Sequence, residues 1–491
     1  MRHLAIFITA WMIACCTWVN TAEAKAKPQY RTALTVTGNE ELAAEINHAL
    51  SRMNPNVHIG IAVKSMKYGD TLYAKNDKSL FVPASTLKVF TAEAALLYLG
   101  PEYKFPTRFV TDAKSINNGV LDGNVYLINS GDPTLTYYDI ADLIVALKAQ
   151  QINEITGNVY VDNTAYDQVT SGPGWLWKDR KNCYGAPISA SIINHNCLSF
   201  RATPPKNATA TSSILTDPRA YYANIKNSVV TRAHSNKTCY VKLEGEDGGS
   251  IAISGCLSKG NFGAGVSTVI TNIMEYDKAL LGDLFNRYNI HITGIIMPGV
   301  AQVQTSELAR HDSKPLKELI TYMLKMSDNV IAGSIFKKIG ELYTHRQGTW
   351  ENGGTSVSKI LSQRAALDIW RINLIDGSGL SRYNQVTPNQ LLQVLNFAYH
   401  NNDTNYQFIS SLPVSGVDGT LKHRMRNLAW KVRAKTGTMQ GIVSLAGYAT
   451  SADKEPLAFV IMINGRNGSI WQYRELEDKV LMYLTHYSRR G

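Results

Sequence analysis

Three short runs near the end of the chain decide its fold: Ala429-Trp430-Lys431-Val432-Arg433-Ala434, Val443-Ser444-Leu445-Ala446-Gly447-Tyr448-Ala449 and Leu457-Ala458-Phe459-Val460-Ile461-Met462-Ile463. Each has strand length and strand composition, and an amphipathic helical stretch, Trp471 to Leu484, follows them. Consecutive strands closed by a terminal helix indicate an antiparallel sheet covered on one face. The missing layers lie at the other end of the chain. From Glu40 to Met53 the apolar residues Leu42, Ile46 and Leu50 recur at helical spacing, and His58 to Val63 alternates as a strand. After Pro83 an apolar helix runs from Leu87 to Leu99. The expectation is an α/β sandwich with an antiparallel sheet assembled from both ends of the chain.

The middle, about residues 105–298, changes character. It holds β-rich segments such as Val125-Tyr126-Leu127-Ile128 and Asn158-Val159-Tyr160-Val161, turn-rich stretches, and every cysteine after the first 24 residues. Insertion of β-rich domains into the sandwich is the natural reading. The helical signal returns at Lys314, with Leu316, Leu319, Ile320 and Met323 on one face of a helix running towards Met326.

Composition narrows the class. With 491 residues, 44% hydrophobic and 18% charged, the chain is neither a disordered tail nor one small domain. No stretch after residue 20 approaches the ~20 apolar residues that span a bilayer, which excludes an integral membrane protein. The net charge of +11 is scattered rather than clustered, so it reads as solvated faces, and nucleic-acid binding is not expected. Arg2 and His3 precede an apolar run from Leu4 to Val19, and Ala22-Glu23-Ala24 follows as a small-x-small cleavage site. Residues 1–24 therefore read as a secretory signal peptide. In an oxidising compartment Cys183, Cys197, Cys239 and Cys256 are expected in disulfides. Three pairings are open, of which Cys183–Cys197 with Cys239–Cys256 closes the shortest loops. No ligand spacing for zinc is present, and no metal or nucleotide cofactor is expected.

Candidate chemistry sits at three places. Ser85-Thr86-Leu87-Lys88 lies where a helix begins, so Ser85 and Lys88 project from one face a turn apart. A lysine kept neutral by burial can take the serine proton and make the hydroxyl nucleophilic. The same S-x-x-K spacing recurs at Ser334, Ser356 and Ser451, so the spacing alone does not choose. Ser327-Asp328-Asn329 follows the amphipathic helix, where a loop can present a hydroxyl to relay a proton and an amide to hold a substrate carbonyl. Lys435-Thr436-Gly437 is the only K-T-G in the chain and ends the first late strand, followed by Thr438. An edge strand there accepts an extended peptide by main-chain hydrogen bonds, while Lys435 and the hydroxyls of Thr436 and Thr438 bind a terminal carboxylate.

In this order, on these elements, the three motifs resemble those of the penicillin-binding proteins and serine β-lactamases. The gap from Ser85 to Ser327 is more than twice that from Ser327 to Lys435, which is similar to the class C low-molecular-mass penicillin-binding proteins of the penicillin-binding protein 4 type. Ser130-Gly131-Asp132-Pro133-Thr134-Leu135, Pro173-Gly174-Trp175-Leu176-Trp177 and Asp376-Gly377-Ser378-Gly379-Leu380-Ser381-Arg382 look like that family too. The resemblance implies a serine β-lactamase/transpeptidase-like domain over 28–104 and 299–491, interrupted by two inserted domains, one over 105–132 and 210–298 and the other over 133–209. It implies D-Ala-D-Ala carboxypeptidase and D-alanyl–diaminopimelate endopeptidase activity on peptidoglycan stem peptides, in the periplasm, with β-lactam antibiotics as acylating inhibitors. Ser85 would be the nucleophile, Lys88 its base, Ser327 and Lys435 the proton route to the leaving amine, and the N–H groups of Ser85 and Thr438 the oxyanion site. Asp179 would take the diaminopimelate amine, and Arg382 with Gln440 its carboxylate. A homodimer is compatible with the residues.

Two other readings remain. A serine β-lactamase shares the nucleophile, but neither glutamate between Ser327 and Lys435, Glu341 or Glu351, begins an E-x-x-L-N pattern. Tyr222-Ala223-Asn224 matches Y-x-N but lies inside the insertion. A non-catalytic cell-wall-binding protein would have no use for an intact nucleophile–base pair.

Overall fold

The structure is a computed structural model that describes residues 35–204, 212–217, 224–232, 239–246, 250–258, 263–369 and 372–490. At its centre is a five-stranded antiparallel sheet in the order Val432–Met439, Ile442–Thr450, Pro456–Asn464, His58–Ser65, Thr71–Lys75. The two ends of the chain meet inside it, with His58 opposite Asn464 and Ser65 opposite Leu457. Ile442–Thr450 and Pro456–Asn464 are buried along almost their whole length and take central places. The more polar Val432–Met439 takes the edge, where one row of backbone groups has no sheet partner. The Gly38–Ser51 and Ile470–His486 helices cover one face, burying Leu42, Ile46, Val480 and Leu484 against Val63, Phe459 and Ile461. On the other face lie the helices Lys88–Tyr98, Leu316–Met326, Asn329–Thr344, Trp350–Ala365 and Pro388–His400, around Phe90, Met323, Ile335 and Leu391.

The edge strand differs from the sequence expectation. It begins at Val432, not Ala429, because Arg426–Leu428 forms a 3-10 turn and Trp430 takes a left-handed conformation at φ 68°. It continues to Met439, so Lys435, Thr436 and Gly437 lie inside the strand and not at its end.

The insertion carries a second five-stranded sheet: Ile296–Pro298, Val159–Asp162, Val125–Ile128, Pro106–Thr111, Ser306–Asp312. Helices Tyr137–Ala149 and Ile273–Arg287 pack on it through Ile140, Ile144, Leu280 and Leu284. Two three-stranded sheets follow, one with Cys197–Thr203 between Ser213–Asp217 and Ala264–Val269, the other with Ser250–Ser258 between Asn224–Arg232 and Val241–Glu246. These pairings do not follow the expected divisions. Val159–Asp162 belongs with strands on the near side of residue 133, Cys197–Thr203 pairs across residue 210, and Ser306–Asp312 pairs with Pro106–Thr111 beyond residue 299. The cause is long-range pairing, to which local composition is blind.

Cys183 is bonded to Cys197 and Cys239 to Cys256. The expected signal peptide lies outside the described residues, as do Tyr222 and Ala223. Among the described residues, no helix is long and apolar enough to cross a membrane.

Ile461 is fully buried in a central strand. Ile461→Ala is expected to cost about 2–5 kcal/mol of unfolding free energy, read as a lowered urea midpoint. A shift below about 1 kcal/mol would contradict this placement of the core.

Candidate active site

Ser85 is half-buried in a 3-10 turn, Ala84–Leu87, immediately before the helix that starts at Lys88. The turn is held from both sides. The Thr86 hydroxyl donates to the Pro83 carbonyl at 2.7 Å, and the Ser444 hydroxyl donates to the same oxygen at 2.6 Å. Ala84 sits at φ 48°, a conformation costly for a residue with a β-carbon. A β-carbon on Gly437 would stand 3.1 Å from the Ser85 nitrogen and 2.9 Å from the Pro83 carbonyl, and would collide with the Ser444 hydroxyl. Gly437 thus lets the edge strand close on the turn.

Lys88 has no exposed surface. Its Nζ lies 2.7 Å from Asn329 Oδ1, 2.7 Å from the Ser378 carbonyl and 3.2 Å from Ser85 Oγ. Burial drives its pKa down to about 7, against the opposing pull of the Asp376 and Asp328 carboxylates. The first two partners are acceptors and consume two N–H groups. A neutral amine then has its lone pair left for the Ser85 hydroxyl, the arrangement a general base requires.

Ser327 is the left-handed residue, φ 62°, that ends helix Leu316–Met326, and Asp328 caps the next helix by accepting from the Ile331 N–H at 2.9 Å. The junction is therefore a two-residue reversal, Ser327 and Asp328, between two helices and not a longer loop. Asn329, the first residue of the second helix, is engaged at both ends of its amide: Oδ1 accepts from Lys88 and Nδ2 donates to the Tyr184 carbonyl at 2.8 Å. Asn329 thus ties Lys88 to the insertion while lining the cleft.

Lys435 is also fully buried; its Nζ donates to Ser327 Oγ at 2.8 Å and to the Thr436 carbonyl at 2.7 Å. Burial, reinforced by the nearby Lys88 amine, holds its pKa well below the ordinary lysine range. The start of the edge strand is covered, because Ser415 N–H donates to the Val432 carbonyl and Ala434 N–H to the Pro413 carbonyl, each at 2.9 Å. Outward groups alternate along a strand, so the next ones belong to Thr436 and Thr438. Thr436 Oγ1 donates to Thr420 Oγ1 at 2.8 Å, and Thr438 shares the cleft with Ser85.

The cleft, about 360 Å³, brings Ser85, Ser327, Asn329 and Thr438 together with Asp179, Arg382 and Gln440. Asp179 Oδ1 accepts from the Tyr184 hydroxyl at 2.9 Å, while Lys178 donates to Gln440 Oε1 at 2.7 Å. Arg382 donates to the Gln440 carbonyl at 3.1 Å. Sequence reasoning assigned no role to Asp376, which is fully buried and accepts from Trp175 Nε1 at 2.7 Å, Gly379 N–H at 2.8 Å, Ser381 N–H at 2.9 Å and Asn384 Nδ2 at 2.9 Å. That carboxylate folds the turn that offers the Ser378 carbonyl to Lys88. The Asp-Gly-Ser-Gly run was a visible turn signal.

A serine, two buried lysines and an open sheet edge on this sandwich define a serine hydrolase of the penicillin-binding and β-lactamase type. Residues 42–484 match the D-Ala-D-Ala carboxypeptidase 3 (S13) family, and the chain belongs to that family, as a serine-type carboxypeptidase. The D-alanyl-D-alanine carboxypeptidase DacB of Haemophilus influenzae is 33% identical over 414 residues, covering 83% of this chain and 85% of that one. The D-alanyl-D-alanine carboxypeptidase of an Actinomadura species is 32% identical over 450 residues, covering 87% and 81%. The crystal structure of penicillin binding protein 4 from Haemophilus influenzae aligns with a TM-score of 0.79 at 31% identity, over 89% of this chain and 98% of that one.

Gly437→Ala is expected to push the edge strand off the nucleophile turn and lower the rate of D-alanine release by about 10²-fold. A D-alanyl-D-alanine peptide assay on protein with an unchanged circular dichroism spectrum checks this. Undiminished release would contradict the close approach.

Proposed function

We propose that this protein is an exported, periplasmic DD-peptidase that works through an acyl-enzyme on Ser85. It removes the terminal D-alanine of peptidoglycan stem peptides and cuts the D-alanyl–diaminopimelate cross-link. The carrying observation is the buried Lys88 amine, 3.2 Å from Ser85 Oγ, with two acceptors already on its N–H groups. Ser85 loses its proton to Lys88 as its Oγ bonds to the penultimate D-alanyl carbonyl carbon. The oxyanion lies between the N–H groups of Ser85 and Thr438, donors each worth about 10²–10³ in rate. The C–N bond breaks as the leaving amine takes a proton from Ser327, and the proton that Lys88 received passes to Lys435 and restores the Ser327 hydroxyl, so that both lysines end neutral. Water then adds to the ester carbonyl, giving a proton to the neutral Lys88 amine, which returns it to Ser85 Oγ as the ester C–O bond breaks. Asp179 and Arg382, on opposite sides in charge and together in the cleft, suit the ammonium and carboxylate at the end of a diaminopimelyl side chain.

β-Lactams would acylate the same serine, and the Haemophilus influenzae penicillin binding protein 4 has also been crystallised with a β-lactam. Intact-mass spectrometry after brief exposure to benzylpenicillin is expected to show a lasting adduct on wild type and none on Ser85→Ala. A short-lived adduct with rapid drug turnover would instead indicate a β-lactamase, and no adduct a wall-binding protein without catalysis.

The acylation rate is expected to depend on pH through Lys88. Only the neutral amine accepts the serine proton, so the rate should rise with pH and level off above about 7. Lys88→Arg, a side chain that stays charged, is expected to lower acylation by about 10²–10⁴-fold. A flat pH profile with full activity in Lys88→Arg would remove Lys88 as base.

A further inference from the structure

One bond inside the cleft joins the insertion to the end of the edge strand. Lys178, on the insertion, donates from Nζ to Oε1 of Gln440 at 2.7 Å. It takes this amide oxygen although a carboxylate, Asp179, is the next residue in the chain, and Asp179 Oδ1 accepts from the Tyr184 hydroxyl instead. Lys178, Asp179, Arg382 and Gln440 all line the cleft that holds Ser85. The backbone of Gln440 is fixed independently of its side chain. It follows the edge strand Val432–Met439, Gly441 turns the chain at φ 80° into Ile442–Thr450, and the Gln440 carbonyl accepts from Arg382 at 3.1 Å.

The chemistry of the two side chains decides which way the amide faces. An ammonium has donors and no acceptor, so it meets a glutamine side chain only at the oxygen. With Oε1 held by Lys178, the group left for an entering ligand is Nε2, a donor. The two ends of an amide are nearly equal in size, so without Lys178 nothing in its shape prevents the oxygen from turning inward. An oxygen there repels a carboxylate, whereas Nε2 binds one.

We propose that Lys178 is a positioning residue for substrate choice: by holding Oε1 of Gln440 it turns Nε2 towards the carboxylate of a diaminopimelyl side chain, beside the Arg382 guanidinium. The assignment rests on the DD-peptidase reading above, in which that side chain puts its ammonium at Asp179 and its carboxylate at Arg382. In the same reading the terminal carboxylate lies at Lys435 and Thr436 and the reacting carbonyl at the Thr438 N–H. The peptide upstream of the scissile bond therefore heads towards Gln440, two residues on from Thr438. In the acyl-donating stem the diaminopimelyl end carries a free ammonium and a free carboxylate on one carbon. The Asp179 acceptor and the donors of Arg382 and Gln440 match that pair. A lysyl side chain has the ammonium alone and gains nothing from the orientation of Gln440.

The test measures kcat/KM for D-alanine release by the full mature chain from two pentapeptides ending in D-alanyl-D-alanine. They differ only in carrying diaminopimelate or lysine before the D-alanines, and the readout is the ratio of the first to the second. Lys178 is exposed, so Lys178→Met removes the ammonium without opening the core. The ratio is expected to fall about tenfold or more in Lys178→Met, the size of one hydrogen bond to a charged group. In a Gln440→Ala background the same substitution is expected to lower it by less than about threefold, because no amide remains to be oriented. Those two results together support the positioning role. A smaller fall in Lys178→Met overturns it, and so does a larger fall in the Gln440→Ala background, where Lys178 would be acting on the substrate itself. A wild type that takes both peptides equally well also overturns it, since there is then no carboxylate site to orient. Failure of the underlying reading looks different: the wild type then releases no D-alanine from either peptide and forms no penicillin adduct.

Discussion

Two lysines buried side by side constrain everything else in this site. Lys88 and Lys435 have no exposed surface, and removing a charged ammonium from water costs several kcal/mol even after relaxation. Each therefore leans towards its neutral form, and the charge of one depresses the other. At neutral pH the two therefore hold fewer protons than they have amines. In the proposed mechanism that deficit leaves Lys88 able to take a proton from Ser85, which Lys435 and Ser327 then relay. The fold supplies what keeps water out: helices packed on one face of the sheet, an edge strand closed by Gly437, and an insertion laid over the front.

The insertion contributes to the catalytic geometry as well as to the shape of the cleft. Trp175 donates to Asp376, whose turn presents the Ser378 carbonyl to Lys88. The Tyr184 carbonyl accepts from Asn329, which also holds Lys88, and Tyr184 follows a cysteine bonded to Cys197. The residues expected to read the substrate and the residues that place the base are thus fastened to one another. Asp179 is linked through Tyr184 and Asn329 to the Lys88 amine, the proposed base.

The sequence made some of this legible for identifiable reasons. Ser85 and Lys88 could be paired because helical spacing puts a turn between them, and Lys435 stood out in the only K-T-G of the chain, at the first of the late strands. The sandwich itself followed from the periodicity at both ends of the chain. Backbone groups were invisible: the carbonyls of Ser378 and Tyr184 have no residue signature, so the partners that orient Lys88 and Asn329 came only with the structure. The carbonyl that accepts from the Asn329 amide belongs to Tyr184, 145 positions away in sequence and adjacent in space. The start of the edge strand was misplaced because the left-handed turn at Trp430 runs against that residue's preference for strands. Boundaries inside the insertion depend on pairings such as Ser306–Asp312 with Pro106–Thr111, which no local pattern encodes.

The most direct measurement is the ionisation of Lys88 itself, followed by the ¹³Cε resonance of labelled lysine in wild type and assigned by its loss in Lys88→Arg. A midpoint near 7 is expected, with the amine uncharged above it. A midpoint at the ordinary lysine value of about 10.4 would mean that burial does not neutralise Lys88, and that Ser85 is activated by something else.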